Sequence, residues 1–305
     1  MGKIAFVFAG QGAQAPGMGK ALYDGYEAAR EVFARVDAIR PGTSGQCFSG
    51  TAEELMNTAN TQPCMFAVEA AAAEVLTEAG IKADMTAGFS LGELSALVYA
   101  GAMDIETGAR LVMKRGALMQ EAAGMHDTSM AAVVKLANEE VERICSEFDQ
   151  VYPVNFNCPG QVACSGASEE MGAFADAVKA AGGRAIPVKV SGEFHSPFMD
   201  GAAAEFAGII STVDFKAPQI PVYSNCTAEP YGSDVEGILK LQINNPVRWE
   251  KIIRNMIADG ADTFIELGPG KTLSGFIKRI DPAVRTFTCA TADDVNAILA
   301  EVQAC

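Results

Sequence analysis

Histidine is almost missing from this chain of 305 residues, which contains only His126 and His195. Cys-x-x-Cys pairs are missing altogether, although eight cysteines are present. A zinc site wants three or four nitrogen or sulfur ligands at short spacing, so no metal is expected. Cys47, Cys64, Cys145, Cys158, Cys164, Cys226, Cys289 and Cys305 are scattered along a chain long enough to fold without staples. They read as free thiols in a reducing cytoplasm. Positive charge is also short: 23 Lys and Arg against 38 Asp and Glu leave a net charge of −15. That excludes the broad basic face needed for nucleic acid or an anionic membrane. No apolar run of about 18 residues could span a bilayer. The apolar stretch at residues 4–9 is too short for a signal-peptide core and stops at glycines. What remains is ordinary globular material, 49% apolar and 20% charged, enough for one large domain or two smaller ones.

Periodicity divides the chain. Residues 4–9 form a continuous apolar run, as a buried parallel strand does. Helical spacing follows over 21–39 and over 62–79, where Pro63 suits a first turn. A short strand is expected at 85–87, then helices at 93–100 and, after Asp104 as a cap, at 105–123. The order then becomes strand 130–136, helix 138–149, strands 151–157 and 161–165, helix 168–181 and strand 184–190. That is the βαββαβ order of a ferredoxin-like unit. Strand 220–224, helix 247–259, strand 263–267 and helix 272–280 return to an α/β pattern. The expected fold is α/β: residues 1–126 plus 191–305 form a large domain with a parallel sheet, and residues 127–190 form an inserted small domain.

Gly88-Phe89-Ser90-Leu91-Gly92 fits Gly-x-Ser-x-Gly, between an apolar strand and a helix. This spacing makes a sharp strand-to-helix turn with the serine hydroxyl at its tip, and small neighbours let strand and helix approach. A serine hydroxyl needs a base at neutral pH. His195 lies in a non-periodic segment where the insert ends, a natural cleft wall. His126 sits in a polar loop and reads as a solvated surface residue. On the helix after Asp104, Leu111, Arg115 and Met119 share one face. A guanidinium on an apolar stripe must find a protein carboxylate, reach water, or grip a substrate carboxylate.

Gly10-Gln11-Gly12-Ala13-Gln14-Ala15 matches the dinucleotide pattern. Pro16-Gly17-Met18-Gly19 prolongs the loop, however, and Glu27, Glu31 and Asp37 lie in a helix rather than at a strand end. The loop's other use is to turn backbone N–H groups toward an oxyanion. Gly268-Pro-Gly-Lys-Thr272 suggests a phosphate loop, but Ile265 stands where its first glycine belongs. A tight turn is expected there.

Six segments occur together in order: Phe8–Gln14, Gly88–Glu93, Lys114–Gln120, Glu193–Met199, Asn245–Trp249 and Glu266–Lys271. Over nearly its whole length the chain resembles the malonyl-CoA:acyl-carrier-protein transacylases and the related acyltransferase domains of polyketide synthases. The resemblance implies a hydrolase-like large domain with a ferredoxin-like insert, and a ping-pong acyl transfer that supplies fatty-acid elongation, the alternatives being a polyketide-pathway acyltransferase or a serine esterase with the same elbow. Ser90 would be the nucleophile and His195 its base, with a carbonyl at Gln242 orienting the imidazole in place of the usual acid. The N–H groups of Gln11 and Leu91 would hold the oxyanion. Arg115 would bind the malonyl carboxylate, and Phe194 would exclude an α-methyl branch. Coenzyme A enters as a thioester substrate, so no cofactor is expected. The partner is acyl carrier protein, and the enzyme would be a cytoplasmic monomer. Phe89 stands where the family commonly has His, and Glu193 where a small residue is common. An acidic carrier would need a local basic patch, drawn from Lys135, Lys179, Arg184, Lys189, Lys271, Lys278 and Arg279.

Overall fold

A computed structural model describes residues 2–188 and 194–302; Lys189 and Glu193, named above, and the end of the strand expected at 184–190 lie outside them. The expected apolar run is β1 (Lys3–Phe8). The single helix expected at 21–39 is two, α1 (Lys20–Gly25) and α2 (Glu27–Ile39), because Tyr26 between them is extended. Residues for which no element was expected form α3 (Thr43–Ser49) and α4 (Ala52–Met56), the latter opened by a Thr51–Glu54 capping box. The next helix, α5 (Thr58–Glu78), starts four residues before its expected first residue, because the Asn57 side chain caps it. Pro63 is therefore inside the helix rather than in its first turn. Alanine-rich and buried on nearly all sides, α5 is a core helix with no polar face.

Next come β2 (Met85–Gly88), α6 (Gly92–Tyr99) and α7 (Ile105–Ala122), the last capped by Asp104 as expected. The βαββαβ run is β3 (Thr128–Val134), α8 (Asn138–Cys145), β4 (Val151–Cys158), β5 (Gln161–Ala167), α9 (Ser168–Ala180) and β6 (Arg184–Val188). Its four strands form an antiparallel sheet in the order β4-β5-β3-β6, the ferredoxin-like arrangement. A 3-10 turn at Pro197–Met199 leads into α10 (Asp200–Ile210), which was not expected. The strand expected at 220–224 shrinks to β7 (Val222–Tyr223) at a sheet edge, and α11 (Val235–Leu239) follows. The helix α12 (Trp249–Ala258) begins late because Val247 pairs with the small sheet instead. The chain closes with β8 (Ala261–Leu267), α13 (Thr272–Ile280), β9 (Arg285–Cys289) and α14 (Ala292–Val302); β9 and α14 were not expected.

The larger sheet is wholly parallel, in the order β7-β2-β1-β8-β9. Alternation along β1 explains its two covered faces. Phe6 and Phe8 enter one core with α5 and α6, while Ala5 and Val7 enter another with Trp249, Ile252 and Ile253 of α12. The small sheet is stitched to this body by main-chain bonds, Phe156 N–H to Val247 O and Val247 N–H to Val154 O, each 2.9 Å. Arg279 adds a strap, donating to Gln161 Oε1 at 2.5 Å and Pro159 O at 3.0 Å.

Candidate active site

Ligands of open parallel sheets bind beyond the carboxyl ends of the strands. Here β1 and β2 are neighbours, with Phe8 opposite Gly88. Gln11 follows one strand and Ser90 and Leu91 follow the other, so the two segments meet at one place. The turn after β2 is as sharp as its glycines suggest. A Cβ on Gly88 would lie 1.9 Å from the Gly92 carbonyl carbon, and one on Gly92 would lie 2.5 Å from the Phe8 and Ala9 carbonyl oxygens. Between them Ser90 adopts a left-handed backbone, φ 55°. For a non-glycine residue that costs about 1–3 kcal/mol, held by the surrounding structure.

Ser90 Oγ lies 2.7 Å from His195 Nε2. On the far side of the ring, Nδ1 lies 3.0 Å from the Gln242 main-chain carbonyl and 3.1 Å from that of Asn245. Carbonyl oxygens only accept, so Nδ1 carries the proton and Nε2 is free to accept from the serine. His195 is buried and itself left-handed, φ 64°, pinned by its N–H to Ile243 O at 3.1 Å. Burial, and then the Arg115 charge, push its imidazole down to about 3, against the two carbonyls that favour the charged form. The ring is therefore neutral at physiological pH.

Arg115 is fully buried. Nε and Nη2 donate to Gln242 Oε1 at 3.0 and 2.8 Å, and Nη2 also reaches Ser90 Oγ at 3.1 Å. Nη1 is buried with no hydrogen-bond partner among the described residues. Burial lowers the guanidinium pKa to about 10, opposed by the charge of Glu93, which leaves it cationic at neutral pH. Gln242 Nε2 closes the ring of contacts by donating to Ser90 O at 2.6 Å. Gln242 thus has two separate uses: its main chain faces the histidine and its side chain faces the arginine.

Ser90, His195, Gln11 and Phe194 line one cavity of about 430 Å³, with Phe89 and Asn155. A second hollow of about 280 Å³ shares Gln11, Phe89 and Asn155 and runs between the two sheets. A larger one of about 690 Å³, beside the exposed Arg110 and Lys114 of α7, contains none of the predicted residues. The Gln11 side chain donates to Thr58 Oγ1 at 3.1 Å, whereas no hydrogen bond of its N–H or of the Leu91 N–H occurs among the described residues. Leu91 is the N-cap position of α6, where such N–H groups have no helical partner. Phe89 packs edge-on against Trp249 at 5.4 Å between ring centroids.

Other predicted residues lie elsewhere. His126 is exposed, beside Phe198. The Gly268–Lys271 segment is a tight turn with φ 113° at Gly268 and 87° at Gly270. Of the basic candidates, Arg279 is committed to the strap and Lys278 donates to Val284 O at 2.5 Å, while Lys135, Lys179, Arg184 and Lys271 are exposed. Sequence reasoning missed Asn225, whose side chain touches the elbow, and the Asn245 carbonyl. Asn225 follows a two-residue strand, so no periodic pattern marked it.

The sequence and the fold both have close counterparts. A profile of the acyl transferase domain family matches residues 5–283. The chain is 39% identical over 304 residues to the malonyl CoA-acyl carrier protein transacylase of Bacillus subtilis (strain 168), covering 97% of this chain and 96% of that protein. Its counterpart in Escherichia coli (strain K12) is 38% identical over 311 residues, covering 99% and 100%. The solved malonyl CoA-acyl carrier protein transacylase of Clostridium perfringens superposes with a TM-score of 0.96 at 35% identity, over 99% of this chain and 98% of that one. A malonyl-transacylase solved in complex with its type II PKS acyl-carrier protein gives 0.93 at 36% identity, over 98% and 99%. With these matches spanning both sheets and every segment of the site, the chain belongs to the acyl transferase domain family, the family of the malonyl CoA-acyl carrier protein transacylases it resembles from end to end.

Proposed function

We propose that this chain transfers a malonyl group from malonyl-CoA to the phosphopantetheine thiol of an acyl carrier protein, through an ester on Ser90, in the supply of fatty-acid elongation. The observation that carries the reading is the 2.7 Å contact between Ser90 Oγ and His195 Nε2, with a buried guanidinium 3.1 Å from the same hydroxyl. In the first half-reaction Ser90 Oγ attacks the thioester carbonyl as its proton passes to Nε2. The charge that develops on the carbonyl oxygen falls to the N–H groups of Gln11 and Leu91, aided by the positive end of α6. The carbon–sulfur bond then breaks, and the Nε2 proton leaves with the coenzyme A thiolate. The second half-reaction runs in reverse: the carrier's thiol gives its proton to Nε2 and attacks the Ser90 ester, and Ser90 recovers its proton.

Arg115 would hold the free carboxylate of the malonyl group through Nη1 and the Nη2 hydrogen that faces Ser90. A second consequence follows from charge. The guanidinium depresses His195 basicity, so a substrate carboxylate that neutralises it returns basicity to the imidazole as the substrate arrives. Phe194 lines the cavity beside Ser90, where bulk would oppose an α-methyl branch. The parallel-sheet unit, residues 1–126 with 191–305, would carry the chemistry, and the insert at 127–190 would wall the cleft. Exposed Lys135, Lys179, Arg184 and Lys271 are the charges left to meet an acidic carrier protein. The seven described cysteines are free, in keeping with a cytoplasmic enzyme.

The test is incubation with malonyl-CoA and phosphopantetheinylated carrier protein, scored by intact mass. Malonyl-carrier should form only when enzyme is present, and far faster than acetyl-carrier from acetyl-CoA. Rapid hydrolysis of malonyl-CoA with no carrier product would instead make the chain a thioesterase.

A further inference from the structure

The acyl-transfer scheme uses neither Glu93 nor Asn225, yet both side chains are fully buried against the serine turn. Asn225 Oδ1 accepts the Ser90 N–H at 2.7 Å, and Asn225 Nδ2 donates to Gly88 O at 2.6 Å. One planar amide therefore grips the bend on both sides of Phe89. The grip answers a specific need. Ser90 precedes α6, so its N–H has no place in the helical ladder, and Gly88 O is the last carbonyl of β2. Asn225 is itself fixed at both main-chain ends: its N–H donates to Glu93 Oε1 at 2.8 Å, and its carbonyl accepts the Arg248 N–H at 2.9 Å. The Tyr231 hydroxyl donates to the same Glu93 oxygen at 2.8 Å. Glu93 lies on α6, the helix that leaves the bend, so the contacts close a loop from helix to carboxyl to asparagine and back to the serine.

We propose that Glu93 and Asn225 are a positioning pair that holds the left-handed Ser90 turn, and with it the Leu91 N–H, in the orientation that acylation needs. The proposal rests on the reading of Ser90 as nucleophile. Malonate binding depends on Arg115, which sits on a different helix, so loosening the bend through the uncharged Asn225 should slow acylation and leave substrate affinity nearly untouched, whereas the Glu93 charge also acts on Arg115 and its variants are read by rate alone. A network that merely fills the core with satisfied polar groups would lower stability without changing the rate per folded molecule.

The experiment uses the full chain with Asn225→Ala, Glu93→Ala and Glu93→Gln, mixed rapidly with malonyl-CoA, quenched and read by intact mass. Displacing a reacting group by about an ångström costs up to ~100-fold. N225A and E93A should therefore lower the single-turnover acylation rate by at least about tenfold, with half-saturation of N225A within about threefold of the parent. E93Q keeps an acceptor for the Asn225 and Tyr231 donors and should recover most of the rate that E93A loses. If N225A fails to fold, the E93A and E93Q pair decides the matter. Rates per folded molecule within about twofold of the parent overturn the proposal, as does an N225A loss carried mainly by half-saturation. Ser90→Ala separates the two levels. An adduct that survives S90A overturns the nucleophile reading itself; its loss in S90A, with normal rates in N225A and E93A, overturns the positioning role alone.

Discussion

Replacing Arg115 with alanine is the perturbation that most sharply divides malonyl chemistry from acyl transfer in general. In the free protein the guanidinium makes two bonds to Gln242 Oε1 and one to Ser90 Oγ, with Nη1 uncommitted among the described residues. A malonyl carboxylate would gain two charge-assisted bonds, each about 1.5–3 kcal/mol, or about 3–6 kcal/mol together. At about 1.4 kcal/mol per decade that is roughly two to four decades in kcat/KM. An acetyl group has no carboxylate to lose. It still feels the damage to Gln242, whose side-chain oxygen loses its donors at about 1–3 kcal/mol, although His195 regains basicity once the neighbouring charge is gone. Acetyl transfer should therefore fall by about tenfold, and the malonyl-to-acetyl ratio by about two decades. The assay is kcat/KM for both thioesters with a carrier acceptor, parent against Arg115→Ala. Equal fractional losses for the two substrates would refute the carboxylate-binding role.

Because His195 is depressed to about 3 from 6.5, its base form survives well below the usual imidazole range. The acidic limb of kcat/KM should lie far below pH 6.5, and Arg115→Met should move it upward; a parent limb near 6.5 would contradict the electrostatics. The same shift has a sign for stability. The unfolded chain binds the His195 proton between about pH 3 and 6.5 while the folded one does not, so stability falls as pH drops through that window, and His195→Gln should flatten the fall. Gly88→Ala drives a methyl to within 1.9 Å of the Gly92 carbonyl carbon and should cost more than about 3 kcal/mol in urea unfolding. The malonyl-enzyme, isolated without a thiol, should outlast many turnovers; loss by hydrolysis as fast as turnover would mark an esterase.

The parts of the site legible in the sequence are those that bend the chain or break its periodicity. Two glycines around a serine announced the elbow, because only hydrogen side chains fit where β2 and α6 nearly touch. Arg115 stood out as a charge on an apolar helix face. His195 emerged because there was almost no other imidazole to choose. The Gln242 carbonyl that orients the histidine was legible only through family resemblance and the Asn245 carbonyl not at all, since a main-chain carbonyl carries no residue signature. Asn225 was invisible for a related reason. Its partners are backbone atoms 135 and 137 residues away, and no local spacing encodes a contact of that range. For the fold, buried parallel strands and the βαββαβ order were legible through hydrophobic runs. The short helices α3, α4 and α11 were not, since five to seven residues are too few for a period to appear.

The central claim is that the Ser90 hydroxyl carries the acyl group between two sulfur atoms. Its most direct measurement is peptide-level mass spectrometry of enzyme quenched after brief exposure to malonyl-CoA. A malonyl mass increment confined to the peptide containing Ser90, absent from Ser90→Ala and discharged on adding carrier thiol, is the predicted result. An adduct on another residue, or one undiminished in Ser90→Ala, would contradict the account.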